Sequence, residues 1–386
     1  MTLSPSQFGY PRALYDPNYV PPKLLHRTKE LKSLLNIFQS SLNPGDLFDI
    51  NVYIHGIRGI GKTVFAKYFI ELLKANFEEK FIPIHLNLTI KNPNENLRLI
   101  VELYSQSISN KFTYLKNSKE LWSYFHFLRN KSNIPLILIF DNVDYFNQPL
   151  YERFIRYSKD LKISTIATSQ ISPRSWKNKS DVLTEYLDFP LKLDIYSPSA
   201  LLDILSQRIS IAFPVELDHE ILQYIVDIVT QFDNYRPSTC ITVLKTIYHQ
   251  LISGNDINPT LIRESSYPLL EFPYQGDLDC LLQLDDSLIE LLYYPFLEKI
   301  ALYFKNGKNI YVSYKELFRI YRIACDELLL PYNQNQFEKF IEKLVFDGFL
   351  YPSQFNANTN ENRFFIIIDP FRLLEYLEIK FSEDLD

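Results

Sequence analysis

The pattern of apolar and polar positions divides the chain into two stretches of different character. In the first, β-branched runs alternate with amphipathic ones. "TKELKSLLNIFQSSL" has helical spacing, "FDINVYIHG" (48–56) is a strand that ends on a glycine, and "KTVFAKYFIELLKANF" returns to helical spacing. "KFIPIHLNL" predicts a second strand, and a helical stretch follows from Asn94 to Arg129. "IPLILIFDNVD" (134–144) is almost continuously apolar before its acids, as a strand buried on both faces would be, and "ISTIATSQ" (163–170) is another. Strands alternating with helices predict an α/β unit with a parallel sheet.

After about Tyr196 the strand signals stop. "SALLDILSQRI", "DHEILQYIVDIVTQF" and "TCITVLKTIYHQLI" predict three helices of a small all-α unit, and "RESSYPLLEFPYQGDLD" reads as a linker. Helices near 286–304, 313–328 and 335–346 then lead into "GFLYPSQ…RFFIIID", a hairpin with a polar tip; that order is the plan of a winged helix. The boundaries drawn are 1–195 for the α/β unit with an N-terminal arm (1–22, read as extended), 196–272 for the helical unit and 275–386 for the winged helix.

Composition narrows the classes. Three well-separated cysteines, Cys240, Cys280 and Cys325, form no CxxC pair, which argues against a disulfide framework or a structural zinc. The chain shows no run of 18 apolar residues, and its first residues lack the apolar core of a signal peptide, so the expectation is a soluble protein with no membrane partner. Residues 281–386 hold 11 Lys and Arg against 17 Asp and Glu, while the rest of the chain balances at 29 of each. The acidic excess therefore sits in the C-terminal third.

Glycine is scarce, 9 in 386 residues, yet Gly56, Gly59 and Gly61 fall within six positions. Gly56-x-x-x-x-Gly61-Lys62-Thr63 matches GxxxxGK[ST], and it lies between a predicted strand and a predicted helix. Glycines let backbone N–H groups turn to phosphate oxygens at a helix N-terminus, a lysine neutralises the β and γ phosphates, and the hydroxyl ligates Mg²⁺. Gly56, Gly59, Ile60, Gly61, Lys62 and Thr63 are thus read as holding ATP or ADP, with Thr63 and Asp141 at the Mg²⁺.

In order along the chain, "YVPPKLLHRTKEL" (19–31), the glycine loop, "LILIFDNVD", "ISTIATSQ", "DIYSPSALLDILSQR" (194–208) and "YRPS" (235–238) resemble AAA+ replication initiators. The resemblance is to the archaeal proteins related to the eukaryotic origin recognition complex and Cdc-six proteins, as a diverged paralogue. It implies an AAA+ P-loop ATPase core, an α-helical lid and a C-terminal winged helix. It also implies that Tyr19, Val20, His26 and Arg27 border the adenine, that Tyr196 and Arg208 close the site from the lid, and that Arg236 is the second sensor. Taken singly, Tyr196 reads equally as a packed aromatic, and Arg208 and Arg236 as solvated helix arginines. Duplex DNA and other initiator or replication proteins are the implied partners, in the cytoplasm on the nucleoid, or in the nucleus of a eukaryote.

The departures from that family concern cleavage. Where it has Asp-Glu, this chain reads Asp141-Asn142, and an amide cannot act as the base that contributes roughly 10²–10⁴ in rate. Gln170 stands where the family has the first-sensor Asn, after Ser169. The stretch "KSDVLTEYLDF" offers no arginine finger, a loss on the order of 10³-fold, and Arg174 is the nearest arginine. Good nucleotide binding with slow or no hydrolysis is the expectation.

For DNA, the helix 335–346 places Phe337, Phe340, Ile341, Leu344 and Val345 on one core-facing stripe and balances Lys339 and Lys343 against Glu338 and Glu342. The wing tip offers Arg363. Lys111, Lys116 and Lys119 lie in the region that resembles the family's DNA-contacting insertion. A second reading uses the same core as a nucleotide-switched signalling or transcription-regulating ATPase whose winged helix binds a protein.

Overall fold

The structure is a computed structural model that describes residues 11–41, 49–77, 81–87, 93–110, 117–132, 134–175, 185–270, 287–305, 309–355 and 362–383, with Phe112 and Leu115. It divides into two compact units, Asp16–Ile195 and Tyr196–Asp386 with Met1–Tyr15. The first described helix, α1 (Arg12–Tyr15), belongs to the second unit.

The unit Asp16–Ile195 contains α2 (Thr28–Ser41), β1 (Asn51–His55), α3 (Lys62–Phe77), β2 (Ile82–Asn87), α4 (Pro93–Ser107), α5 (Ser118–Lys131), β3 (Leu136–Asp141), α6 (Gln148–Arg156), α7 (Ser158–Leu161), β4 (Ile163–Ser169) and β5 (Phe189–Lys192). All five strands are parallel, in the order β2-β3-β4-β1-β5. Every residue of β3 and β4 is buried, so the continuous apolar runs mark strands covered on both faces. Under one face Trp122, Phe125, Phe140, Tyr151 and Phe154 pack edge-on or tilted against one another.

Two sequence readings change here. The helical stretch 94–129 is two helices: Ser109 takes a positive φ of 53°, and Asn117 caps α5 by accepting the Lys119 N–H at 2.9 Å. Strand β5 was not foreseen. It is four residues long, half-exposed and contains Pro190, which an edge strand tolerates because the missing N–H would face away from its neighbour.

In the other unit, α1 packs on α8 (Pro198–Ala212) and on α10 (Pro237–Ile252). Tyr15 donates its hydroxyl to the Lys245 carbonyl at 3.1 Å and sets its ring edge-on to Tyr248. Residues 12–15 of the expected extended arm are therefore helical and docked. Between α8 and α10 runs α9 (His219–Phe232), and a fourth helix, α11 (Pro259–Ser266), replaces the start of the expected linker. Its signal was local: Asn258 accepts the Leu261 N–H at 2.9 Å, and Pro259 takes the first helical position.

The C-terminal part comprises α12 (Ser287–Lys305), β6 (Val312–Ser313), α13 (Tyr314–Glu327), α14 (Gln334–Phe346), β7 (Tyr351–Pro352), β8 (Arg363–Phe365) and α15 (Pro370–Glu383). Ser313 and Glu316 form a capping box at the start of α13. The three short strands pair antiparallel in the order β6-β8-β7 over a core that includes Phe296, Tyr321, Phe337 and Phe340. Helix α15, absent from the sequence reading, contributes Leu373, Leu374 and Leu377 to that core.

Candidate functional site

The glycine loop joins β1 to α3 and has the shape its residues require. A Cβ on Gly56 would meet the Leu193 carbonyl oxygen at 2.8 Å, and Gly61 has a φ of +98° that L residues avoid. Ile60 is fully buried. Lys62 turns its ammonium back on the loop, donating to the carbonyls of Gly56 and Ile57, both at 2.8 Å. Burial pulls the Lys62 pKa down, against the opposing pull of Asp144 and then Asp141.

At the carboxyl end of β3, the Thr63 hydroxyl donates to Asp141 Oδ1 at 2.8 Å and lies 3.0 Å from Oδ2. The Thr168 hydroxyl donates to Oδ1 at 2.6 Å. The structure thus brings Lys62, Thr63 and Asp141 together around one loop. Among the described residues no three His, Cys, Asp or Glu side chains converge to hold a metal, so a cation here would need hydroxyl, water or phosphate oxygens as well.

Asn142 has φ 57° and ψ 57°, and its N–H donates to the Thr168 hydroxyl at 2.8 Å. Asn enters this left-handed region more readily than Glu, which supplies a backbone reason for the amide. The exposed Gln170 follows Ser169, and both are held by a residue the sequence reading missed. Asp144 accepts the Ser169 hydroxyl and, at 2.7 Å, the Gln170 N–H. Its signal was the second acid of "DNVD". His85 on β2 was missed as well: its Nε2 lies 4.0 Å from Asp141 Oδ2, buried and without a hydrogen-bond partner. Burial lowers the His85 pKa; Asp141 opposes that shift and Lys67 adds to it.

The residues assigned to the adenine lie before α2. Tyr19 and Val20 are half-buried, and His26 is exposed with a φ of 56°. Arg27 is buried: it pairs with Glu30 at 3.0 Å and donates to the Asp194 carbonyl at 2.6 Å. Tyr196, Arg208 and Arg236 belong to the other unit. Tyr196 is buried, Arg208 is buried and donates to the Ala13 carbonyl at 2.9 Å, and Arg236 forms an ion pair with Asp233. Neither arginine is the freely solvated residue that the sequence alone also allowed.

For the residues assigned to DNA, Lys111 and Lys116 lie outside the described residues, and Lys119 is exposed at the start of α5. On α14, Phe337, Phe340, Ile341 and Leu344 are buried, but Val345 is only half-buried. Val345 lines a groove of about 500 Å³ with Phe346, which is 89% exposed. Lys339 is exposed, and Lys343 approaches Asp347 at 3.5 Å. Arg363 is not at the wing tip. It stands on β8 with its guanidinium on Glu220 at 3.2 Å, on Gln223 at 3.1 Å and on the Phe355 carbonyl at 3.2 Å, 4.5 Å from the Tyr311 ring centre. Helix α9 and an aromatic ring thus hold the cation that was assigned to the wing tip.

Among the described residues no helix is long and apolar enough to cross a membrane. No family model matches the chain. An ORC1-type DNA replication protein 1 of Sulfurisphaera tokodaii is 26% identical over 229 residues, 55% of this chain and 54% of that protein. The chain therefore spans about half the length of the curated relatives it matches. The crystal structure of Cdc6p from Pyrobaculum aerophilum aligns with a TM-score of 0.76 at 21% identity, covering 98% of this chain and all of that one. The Aeropyrum pernix ORC1 protein, solved in complex with DNA, aligns at 0.58 and 17% identity over 99% of this chain and 100% of its own. In sequence over about half its length, and in fold over nearly all of it, the chain is similar to the archaeal ORC1-type and Cdc6 replication proteins, as its motifs imply.

Proposed function

We infer that the chain binds ATP or ADP with Mg²⁺ at the Gly56–Thr63 loop and acts as an origin-recognition protein of the AAA+ replication-initiator class. In this reading 1–195 is the nucleotide-binding core, 196–272 the lid and 275–386 a winged helix, and duplex DNA and other replication proteins are the partners. The observation that carries it is the convergence of the Thr63 hydroxyl on Asp141 at 2.8 Å beside Lys62, within a fold like that of Cdc6p. That donor set suits a hard divalent ion. Thr63 and Asp141 would hold it, and when bound it would neutralise phosphate charge. Lys62 would leave the Gly56 and Ile57 carbonyls for the phosphates, and the N–H groups at the start of α3 would receive them.

Hydrolysis is expected to be slow, because Asn142 offers no carboxylate and Asp144 is already accepting two hydrogen bonds. Saturating nucleotide at about 100 times its dissociation constant should add ~2.7 kcal/mol of stability. The test is a melting curve with and without ATP–Mg²⁺ for the wild type and Lys62→Ala. A rise in the wild type that the variant lacks supports the reading, and an unmoved wild-type curve at millimolar nucleotide overturns it. Anisotropy of labelled duplex DNA against salt tests the DNA partner, since each phosphate neutralised steepens the log–log slope by about 0.9.

The sequestration of Arg363 and the exposed Phe346 favour a protein partner for the C-terminal domain as the second reading. A flat salt slope for the full chain would select it.

A further inference from the structure

His85 has no part in the function just described, and its position calls for one. Its Nε2 is buried and has no hydrogen-bond partner, a state that few buried polar atoms keep. Asp141 Oδ2 lies 4.0 Å from it, too far for a hydrogen bond. That separation suits a different arrangement. Two ligands about 2.1 Å from one ion stand roughly 3.0 Å apart at a right angle and about 4.2 Å apart when opposed. Nε2 to Oδ2, at 4.0 Å, and the Thr63 hydroxyl to Oδ2, at 3.0 Å, both fall within this range. Imidazole nitrogen binds every divalent transition ion, Mn²⁺ the most weakly of them, better than it binds Mg²⁺, which takes oxygen and keeps its waters.

We propose that the cation site at the carboxyl ends of β2 and β3 is a mixed nitrogen–oxygen site in which His85 Nε2 joins Asp141 and the Thr63 hydroxyl, so that nucleotide binds with a divalent transition ion such as Mn²⁺ in preference to Mg²⁺. The proposal rests on the nucleotide reading above and adds the ligand that sets which ion accompanies it. It involves no bond cleavage. The sheet fixes its geometry, because β2 and β3 run in register and place His85 opposite Ile139, two residues before Asp141.

The test uses the full chain, labelled with ¹⁵N-histidine, and ADP with either ion. Pulsed electron paramagnetic resonance of the Mn²⁺–ADP complex should show coupling to a histidine nitrogen, and His85→Phe should remove it. Calorimetric titration should show ADP binding on the order of tenfold more tightly with Mn²⁺ than with Mg²⁺ in the wild type. In His85→Phe and in His85→Gln the two ions should come within about twofold. Absence of nitrogen coupling in a wild type that binds Mn²⁺–ADP, or an equal ion preference in wild type and both variants, overturns the proposal and leaves the nucleotide reading standing. Failure to bind ADP with either ion overturns the nucleotide reading and this proposal with it.

Discussion

Asp141 and Asp227 are both buried carboxylates that gather hydroxyl donors, yet they serve opposite ends. Asp141 receives Thr63 and Thr168 at the open end of a parallel sheet, beside a lysine that holds only its own loop and an imidazole that holds nothing. Asp227, on α9, receives the Tyr311 hydroxyl at 2.8 Å, the Ser353 hydroxyl at 2.6 Å and the Gln354 N–H at 2.8 Å. Its donors come from the C-terminal part of the same unit, where Tyr224 also donates to the Ile366 carbonyl at 2.7 Å. The difference teaches how to separate a structural carboxylate from a functional one. At Asp227 the acid's own donors are all fixed on it; at Asp141 a displaceable lysine and an orphaned imidazole remain beside the acid.

Substitution at the two aspartates should break the comparison most visibly. Asp227→Ala leaves the buried Tyr311 hydroxyl and the part-buried Gln354 N–H without their acceptor and should cost about 2–3 kcal/mol in urea unfolding. Asp141→Asn keeps an acceptor for both threonines, so its unfolding midpoint should stay within about 1 kcal/mol of wild type while its response to nucleotide and Mg²⁺ disappears. Equal stability losses at the two positions would erase the distinction.

Arg363 sharpens the account of the closed cluster. Arg363→Ala should cost roughly 1–2 kcal/mol, because its guanidinium contacts two side chains and a carbonyl, whereas exposed Lys339→Ala should stay within about 0.5 kcal/mol. Unfolding curves that reverse this order would return Arg363 to the solvent.

At the open site, Asn142→Glu should lose about 1 kcal/mol to left-handed backbone strain, and Asn142→Gly should be tolerated. A Glu variant as stable as wild type would show that the turn adapts, and would reopen the case for restoring hydrolysis by this change.

The smallest effect is a pH dependence. Burial raises the Asp227 pKa above its ordinary 3.8, although the Ser353, Gln354 and Tyr311 hydrogen bonds oppose the shift. The raised value means that its proton-linked stabilisation is fully present below the unfolded pKa and is lost as pH rises through the folded one. Wild type should therefore gain on Asp227→Asn as pH falls from neutral towards 4, by a fraction of a kcal/mol. A gap that widens with rising pH instead would contradict the sign.

The open site was far more legible in the sequence than the closed one. Gly56, Lys62, Thr63 and Asp141 announce themselves by fixed spacing and by strands whose burial on both faces demands continuous apolar residues. His85 carries no such signal, because its meaning depends on the register that places β2 beside β3. Arg363 was misread for the same kind of reason: Glu220 and Gln223 lie 143 and 140 residues away, and no local pattern announces a partner at that distance. Strand β5 and helices α1 and α15 escaped because short or terminal segments are fixed by what they pack on.

The central claim is that the Gly56–Thr63 loop holds a nucleotide, and direct calorimetric titration of the full chain with ADP and Mg²⁺ tests it most simply. One nucleotide bound per chain by the wild type, with no measurable heat of binding for Lys62→Ala, is the predicted result; a wild type that takes up none, or a Lys62→Ala chain that binds as the wild type does, would contradict it.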